Sequence, residues 1–277
     1  MLGLDLSLTG LVTRQTAPFH PLEVFGDGDA GDFWTAKDIE ADPDDPIAAW
    51  VGLNDATSLA QAVAGRQPTL RASGSKRWLE FNIDDMDEAD VLGDCLLGEF
   101  AISTAELTII VAAHNEDPSE GSNDDNNRRT ICLKVPQADA AERDINIFHN
   151  LPRVATESGV FGGAGMRHPE NAAVNLTAST NAALGTPGAV SYQRNGTAIQ
   201  DAWIDREALT RVTTATTTFT TTHLGIGYGL STSLDFNTSG AGHWIGRIYG
   251  VFVIDRVLSA FELAQVRSYM RGLMDFG

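Results

Sequence analysis

His243 to Met274 reads HWIGRIYGVFVIDRVLSAFELAQVRSYMRGLM, and the period of its apolar residues changes once, near Asp255. Over Trp244 to Ile254 a strictly alternating strand would carry Trp244, Ile248, Phe252 and Ile254 on one face. Ile245, Tyr249, Val251 and Val253 would fall on the other. A strand apolar on both sides belongs inside a sheet that is covered on both faces. Ser259 then precedes Glu262 by three residues, the capping-box spacing, and Leu263, Val266, Met270 and Leu273 recur at helical spacing. The stretch therefore predicts a buried strand followed by a helix that packs on something.

Upstream, short apolar runs alternate with turn signals. Leu107 to Ala113 is a continuous run of buried-strand length. Ile131, Leu133 and Val135 alternate, as do Ile145 and Ile147, and Val174 and Leu176. Val190 to Ile199 reads as a hairpin about Asn195-Gly196, because both central positions of a two-residue turn need positive φ. His114 to Arg129 is a polar loop, and the threonine-rich run Thr210 to Thr222 suits an exposed strand. Many short strands with one helix make the chain all-β.

The run GRIYGVFVIDRVLSAFELAQVRSYM resembles the closing strand and terminal helix of concanavalin A-like (laminin G-like) jelly-roll domains of the kind found in bacteriophage virion proteins. Trp34 to Asp38, Trp50 to Asp55, Gln67 to Leu70 and Trp78 to Asp85 fit the same pattern in order, although Asn82-Ile83 replaces the Asp-Gly usual in such domains. The resemblance implies a jelly-roll β-sandwich over residues 29–277, with a C-terminal helix and an extended N-terminal arm over 1–28. It further implies a virion protein, made in the host cytoplasm, whose arm anchors it to other virion proteins and whose copies associate as a homo-oligomer.

The arm has its own signature. Leu4, Leu6 and Leu8 alternate with polar residues, and the segment has too little apolar material to fold alone. Asp5 stands where a signal peptide would carry positive charge, and no apolar run approaches the ~18 residues of a membrane span. Neither export nor membrane insertion is expected. The formal charge of -18 argues against nucleic-acid partners and against an anionic membrane surface. Cys95 and Cys132 are too few for a disulfide framework. Cys132 reads as a small packed residue, with pairing to Cys95 left open.

Little catalytic chemistry is legible. A glycosidase on this architecture needs two carboxylates across a cleft. Glu40, Asp42 and Asp45 are interrupted by prolines, and Glu80, Asp84, Asp85, Asp87 and Glu88 lack the required alternation. The six histidines have no metal-ligand spacing. Asn123, Asp124 and Asp125 offer the hard oxygens that calcium prefers, so calcium is the one cofactor considered. Sugar binding, which the resemblance suggests, needs an exposed aromatic ring and polar groups for hydroxyls. Trp203 with Asp201, Asp205 and Arg206 fits, whereas Trp34, Trp50, Trp78 and Trp244 read as core. The expectation is a non-enzymatic, particle-displayed protein whose lectin-like domain binds host surface carbohydrate. A purely architectural head or tail decoration is the alternative, and a glycoside hydrolase stands third.

Overall fold

The computed structural model describes residues 18–82, 93–115, 129–134, 145–148, 188–195, 199–204, 207–213, 219–227 and 244–274. The strands of the first half are β1 (Gly31–Thr35), β2 (Ala49–Val51), β3 (Ser58–Ala60), β4 (Thr69–Ser73), β5 (Lys76–Phe81), β6 (Leu96–Glu99), β7 (Ser103–Thr104) and β8 (Leu107–Asn115). There follow β9 (Arg129–Lys134), β10 (Ile145–Phe148), β11 (Gly188–Asn195), β12 (Ile199–Ile204), β13 (Glu207–Thr213), β14 (Phe219–Thr220), β15 (His223–Ile226), β16 (Gly246–Ile254) and the helix α1 (Ala260–Leu273). An eight-stranded sheet runs β13-β12-β11-β8-β16-β5-β4, with β1 also paired to β16. A six-stranded sheet runs β10-β9-β15-β6-β3-β2. The fold is the expected all-β, concanavalin A-like jelly-roll sandwich with a C-terminal helix.

Two cores explain the runs that are apolar on both sides. Between the sheets lie Trp34, Trp50, Leu79, Ile109, Val111, Ala113, Val190, Tyr192 and Trp244. Between the larger sheet and α1 lie Phe33, Trp78, Ile110, Ala112, Ala189 and Phe252, with Leu263, Val266, Met270 and Leu273 from the helix. Strand β8 thus sends alternate residues into two different cores, as its unbroken apolar run predicts. All four tryptophans read as core are buried.

Strand β16 departs from the expected alternation. Ile248 is in register with Ala113 and Gly250 with Ala112, so the ladder shifts register at Tyr249, a bulge. The pleat changes phase there. Trp244, Ile248, Val251 and Val253 face the inter-sheet core, while Tyr249, Phe252 and Ile254 face the helix. Strict alternation had put Ile248 with Phe252 instead. Gly250 makes the arrangement compatible with helix packing, since a Cβ there would lie 3.0 Å from Leu273 Cδ1 and 3.2 Å from the carbonyl oxygen of Trp34.

The helix begins as its capping box predicts. The Glu262 amide donates to Ser259 Oγ at 3.3 Å, and the Ser259 amide donates to Glu262 Oε2 at 2.8 Å. Arg256, between β16 and α1, adds a latch. Its guanidinium donates to Glu262 Oε1 at 2.9 Å, to Asp29 Oδ2 at 2.9 Å and to the Val24 carbonyl at 2.6 Å. Of the arm expected over residues 1–28, residues 1–17 lie outside the described residues. Beyond them, a short 3-10 turn over Pro21–Val24 brings Val24 into the helix-side core, with Phe19, Leu22 and Phe25 packed against it.

Other expectations resolve locally. The 190–199 hairpin strands pair, but Asn195 is itself in register with Ile199 and so is not a central residue of a two-residue turn; Gly196 lies outside the described residues. The threonine-rich run contributes to two strands, β13 and β14. Val174 and Leu176 lie outside the described residues. Cys95 is a free buried thiol and so is not bonded to Cys132. Burial pushes it up to about 12, and Gln61 Nε2 donates to its sulfur at 3.0 Å.

Two outcomes test this packing. Leu263→Asp is expected to lower unfolding free energy by about 3 to 5 kcal/mol, and Gln265→Asp by under about 0.5 kcal/mol, in urea titrations. The second concerns acid. The hydrogen bond from Arg256 holds the Glu262 carboxyl at about 2, against a usual 4.5. A depressed carboxyl contributes stability that is complete above its unfolded pKa and is lost as pH falls through the folded one. The contribution should therefore disappear between about pH 4.5 and 2. Asp255 works in the opposite sense, because burial raises its pKa. Glu262→Gln is expected to cost about 1 to 2 kcal/mol at neutral pH, discounted for partial exposure, and nothing near pH 2. Melting curves of both proteins across that range measure the difference.

Candidate functional site

The helix-side face of the large sheet ends in the β11-β12-β13 ladder, and two of the four expected sugar-site residues lie on its middle strand. Asp201 and Trp203, two residues apart on β12, share one side of the pleat. Asp205 and Arg206 lie outside the described residues. The pairing defines what surrounds the other two. Trp203 stands opposite Ser191 of β11 and Ala208 of β13, and Asp201 opposite Gln193 and Arg211. One row of the ladder thus reads Ser-Trp-Ala and the next Gln-Asp-Arg. The β12-β13 ladder shifts register between Ala202 and Trp203, a bulge that increases local twist beside the tryptophan.

Strand β11 is a rigid support for these rows. Gln193 is buried, and its Nε2 donates to Thr108 Oγ1 at 3.2 Å and to the Leu258 carbonyl at 3.1 Å. Thr108 Oγ1 donates in turn to the Arg256 carbonyl at 2.7 Å and accepts from the Leu258 amide at 3.3 Å. The ladder is therefore tied to β8 and to the residue that leads into α1. Ser191, also buried, leaves its hydroxyl without a hydrogen-bond partner. Gln193, Ser191 and Arg211 were not picked out in the sequence. Folding 199–213 about the polar Asp205-Arg206 pair would set Thr210 opposite Asp201, and only the register shift between Ala202 and Trp203 brings Arg211 there.

In register, the two rows combine an aromatic residue between two small ones with an acid and an arginine in the next row, the Gln193 amide being already bonded to Thr108 and Leu258. Sugars are held by such a set. The apolar face of a pyranose stacks on an aromatic ring, and its hydroxyls require donors and acceptors together.

The remaining acidic candidates are accounted for separately. Glu80 accepts from Arg71 Nε at 3.2 Å and Nη2 at 3.1 Å, and Asp44 bonds the same guanidinium. Asp42, on the proline-interrupted loop, donates its amide to Asp45 Oδ2 at 3.2 Å. Asp84, Asp85, Asp87 and Glu88 lie outside the described residues, as do Asn123, Asp124 and Asp125, the candidate calcium ligands. Among the described residues no three His, Cys, Asp or Glu side chains are grouped to hold a metal ion.

One carboxylate escaped the sequence reading altogether. Asp32 is fully buried on β1 and accepts from the amides of Phe33 at 2.8 Å, Asn54 at 2.7 Å and Thr57 at 2.9 Å. It pins the loop between β2 and β3 to the sandwich. Gly52 makes room for it, since a Cβ at that position would lie 2.0 Å from the carboxylate.

Comparison with known proteins bears on the fold. No family model and no curated protein matches the sequence. The Trypanosoma rangeli sialidase bound to the inhibitor DANA is similar in structure, with a TM-score of 0.52 and 12% identity over 90% of this chain and 34% of that one. The same sialidase with 2,3-difluorosialic acid, as a covalent intermediate, has a TM-score of 0.51 and 11% identity, covering 88% of this chain and 33% of that one. The CBM40 of a Ruminococcus gnavus IT-sialidase has a TM-score of 0.43 and 14% identity, covering 58% of this chain and 82% of that one. This chain spans about a third of the length of the T. rangeli sialidase it matches. At such identities the likeness is one of fold.

The Asp32 cradle yields a direct test. Asp32→Asn presents an amide where three backbone N–H groups expect acceptors, and is expected to cost about 2 to 4 kcal/mol. Asp55→Asn, at an exposed neighbour on the same loop, is expected to cost less than half of that, with both read by chemical denaturation.

Proposed function

We propose that this protein is a non-enzymatic, carbohydrate-binding jelly-roll domain displayed on a phage or phage-like particle, where it holds the particle to a host surface glycan. The observation that carries the reading is the pair of rows on β11-β12-β13, with Trp203 between Ser191 and Ala208 and Asp201 between Gln193 and Arg211. An aromatic residue beside a carboxylate and a guanidinium is a residue set suited to a sugar. Sandwiches of this fold occur in the T. rangeli sialidase bound to the inhibitor DANA, a setting in keeping with glycan recognition. The particle setting rests on the sequence resemblance of the terminal strand and helix. Non-enzymatic action rests on the spacing of the acidic residues, which lacks the carboxylate alternation of jelly-roll hydrolases.

Purified protein is expected to retain host polysaccharide in a pull-down without releasing reducing ends. Trp203→Ala should weaken binding by about 1 to 3 kcal/mol, the scale of one lost aromatic platform. Ala48→Ser, exposed just before β2 of the other sheet, should leave it unchanged. Release of reducing ends would assign the protein to the hydrolases. Complete absence of binding, together with particles that adsorb normally but break more readily without the protein, would assign it to architectural decoration.

A further inference from the structure

A tryptophan and an acid two residues apart recur on β5, as Trp78 and Glu80. The β5 pair and the β12 pair share one face of the eight-stranded sheet. Trp78 belongs to the helix-side core, while Trp203 is in register with Ser191, and Ser191 with Ile110 of that same core. Residues in register project from the same face. From β12 to β5 is a walk across β11, β8 and β16, about 19 Å. Helix α1 packs over those three intervening strands, so the pairs stand on opposite shoulders of the helix.

On the β5 shoulder the polar groups are fixed in place. Glu80, 20% exposed at its side chain, accepts on Oε1 from Arg71 Nε at 3.2 Å, Arg71 Nη2 at 3.1 Å and Asn82 Nδ2 at 3.4 Å. Its Oε2 accepts from none of these groups. Asp44 also bonds Arg71, so three of the five N–H donors of that guanidinium are engaged and two remain. Arg247 is in register with Glu80, and its Cζ lies 4.6 Å from the centre of the Trp78 ring. Stacking restrains a guanidinium and leaves its N–H donors in its own plane, clear of the ring. Trp78 is too buried to offer a stacking face itself. The helix ends short of these groups. Lys76, at the start of β5, donates to the Gly272 carbonyl in the last turn of α1, whereas Glu80 lies four residues farther along and Asn82 is exposed.

We propose that Glu80, Asn82, Arg71 and Arg247 form a second sugar subsite, which holds an uncharged hexose by adjacent hydroxyls. The proposal rests on the sugar-binding reading of the β12 rows. Two arginines balance Glu80 and Asp44, which suits a neutral ligand. One hydroxyl donates to Glu80 Oε2 and its neighbour accepts from an arginine, with the Asn82 amide able to do either. Donors and acceptor are held before the sugar arrives, so little side-chain entropy is lost on binding. With no exposed ring the subsite is the weaker of the two, and its effect is on long chains. A polysaccharide that reaches over both shoulders of α1 meets the second subsite at a high effective concentration.

Proton–nitrogen NMR of the full chain, titrated with the methyl glycosides of glucose, galactose and mannose, tests this. At least one of the three is expected to shift the Arg71 Nε–H and Asn82 Nδ2 signals saturably, the signals being identified by their loss in Arg71→Lys and Asn82→Asp proteins. Glu80→Gln should raise the midpoint for that sugar about tenfold, the scale of one charge-assisted hydrogen bond. Trp203→Ala should leave the Arg71 and Asn82 shifts in place. Shifts at the Trp203 indole N–H without shifts at Arg71 and Asn82 overturn the second subsite and leave the β12 reading standing. Shifts at neither also overturn it, and the polysaccharide pull-down then decides the β12 reading separately. A midpoint that Glu80→Gln does not move, or shifts that vanish in Trp203→Ala, overturn the subsite as well.

Discussion

Strand β16 has to serve two cores at once, and the bulge at Tyr249 is how it does so. A regular strand sends alternate residues to opposite faces along its whole length. Here the residues before and after the bulge are out of phase, so Ile248 and Val251, three apart, enter the same inter-sheet core. Tyr249 and Gly250 both meet the helix side, one with a large ring and the other with no side chain. The gap at Gly250 is where Leu273 and Met270 approach, so helix and bulge specify one another. Removing either would leave the other face without its partner.

Arg256 extends that coupling in sequence distance. One guanidinium joins Glu262 at the start of α1, Asp29 before β1 and the carbonyl of Val24. The first and last parts of the described chain thereby close around the eight-stranded sheet. Asp255 repeats the connection one residue earlier, exchanging backbone and side-chain hydrogen bonds with Ala30 at 2.9 Å. Because the same junction carries Leu258 and Thr108, which hold Gln193, the setting of the helix is transmitted to the strand beside Trp203. Stability of the latch and geometry of the candidate sugar face are therefore linked through hydrogen bonds.

What was legible in the sequence is what depends on local pattern. The capping box, the buried helical stripe and the doubly apolar strands follow from period and spacing, the four core tryptophans from their apolar or motif surroundings, and each is present. The phase change in β16 does not, because alternation presumes an unbroken ladder. A glycine inside a strand is nonetheless a bulge signal, and Gly250 carried it. Asp32 shows the harder case. In sequence it is one acid among 37 acidic residues, and its role comes from amides more than twenty residues away. For the candidate site, Trp203 and Asp201 were legible as an aromatic in charged surroundings. Their neighbours Ser191, Ala208, Gln193 and Arg211 required the register of three strands.

That register also bears on how such a face could recognise a sugar. The residues in line with Trp203 on both sides are small, whereas those in line with Asp201 are long and polar. A ring stacked on the tryptophan would overlie the small row and bring its edge hydroxyls to the polar one. Gln193 is already committed to Thr108 and Leu258, so its part is to hold β11 in place. On the proposed reading, Asp201 and Arg211, set opposite one another in register, would be left to meet the hydroxyls of a sugar. A carboxylate accepts and a guanidinium donates. The pair would then select a sugar presenting adjacent hydroxyls, one donating to the acid and the other accepting from the base.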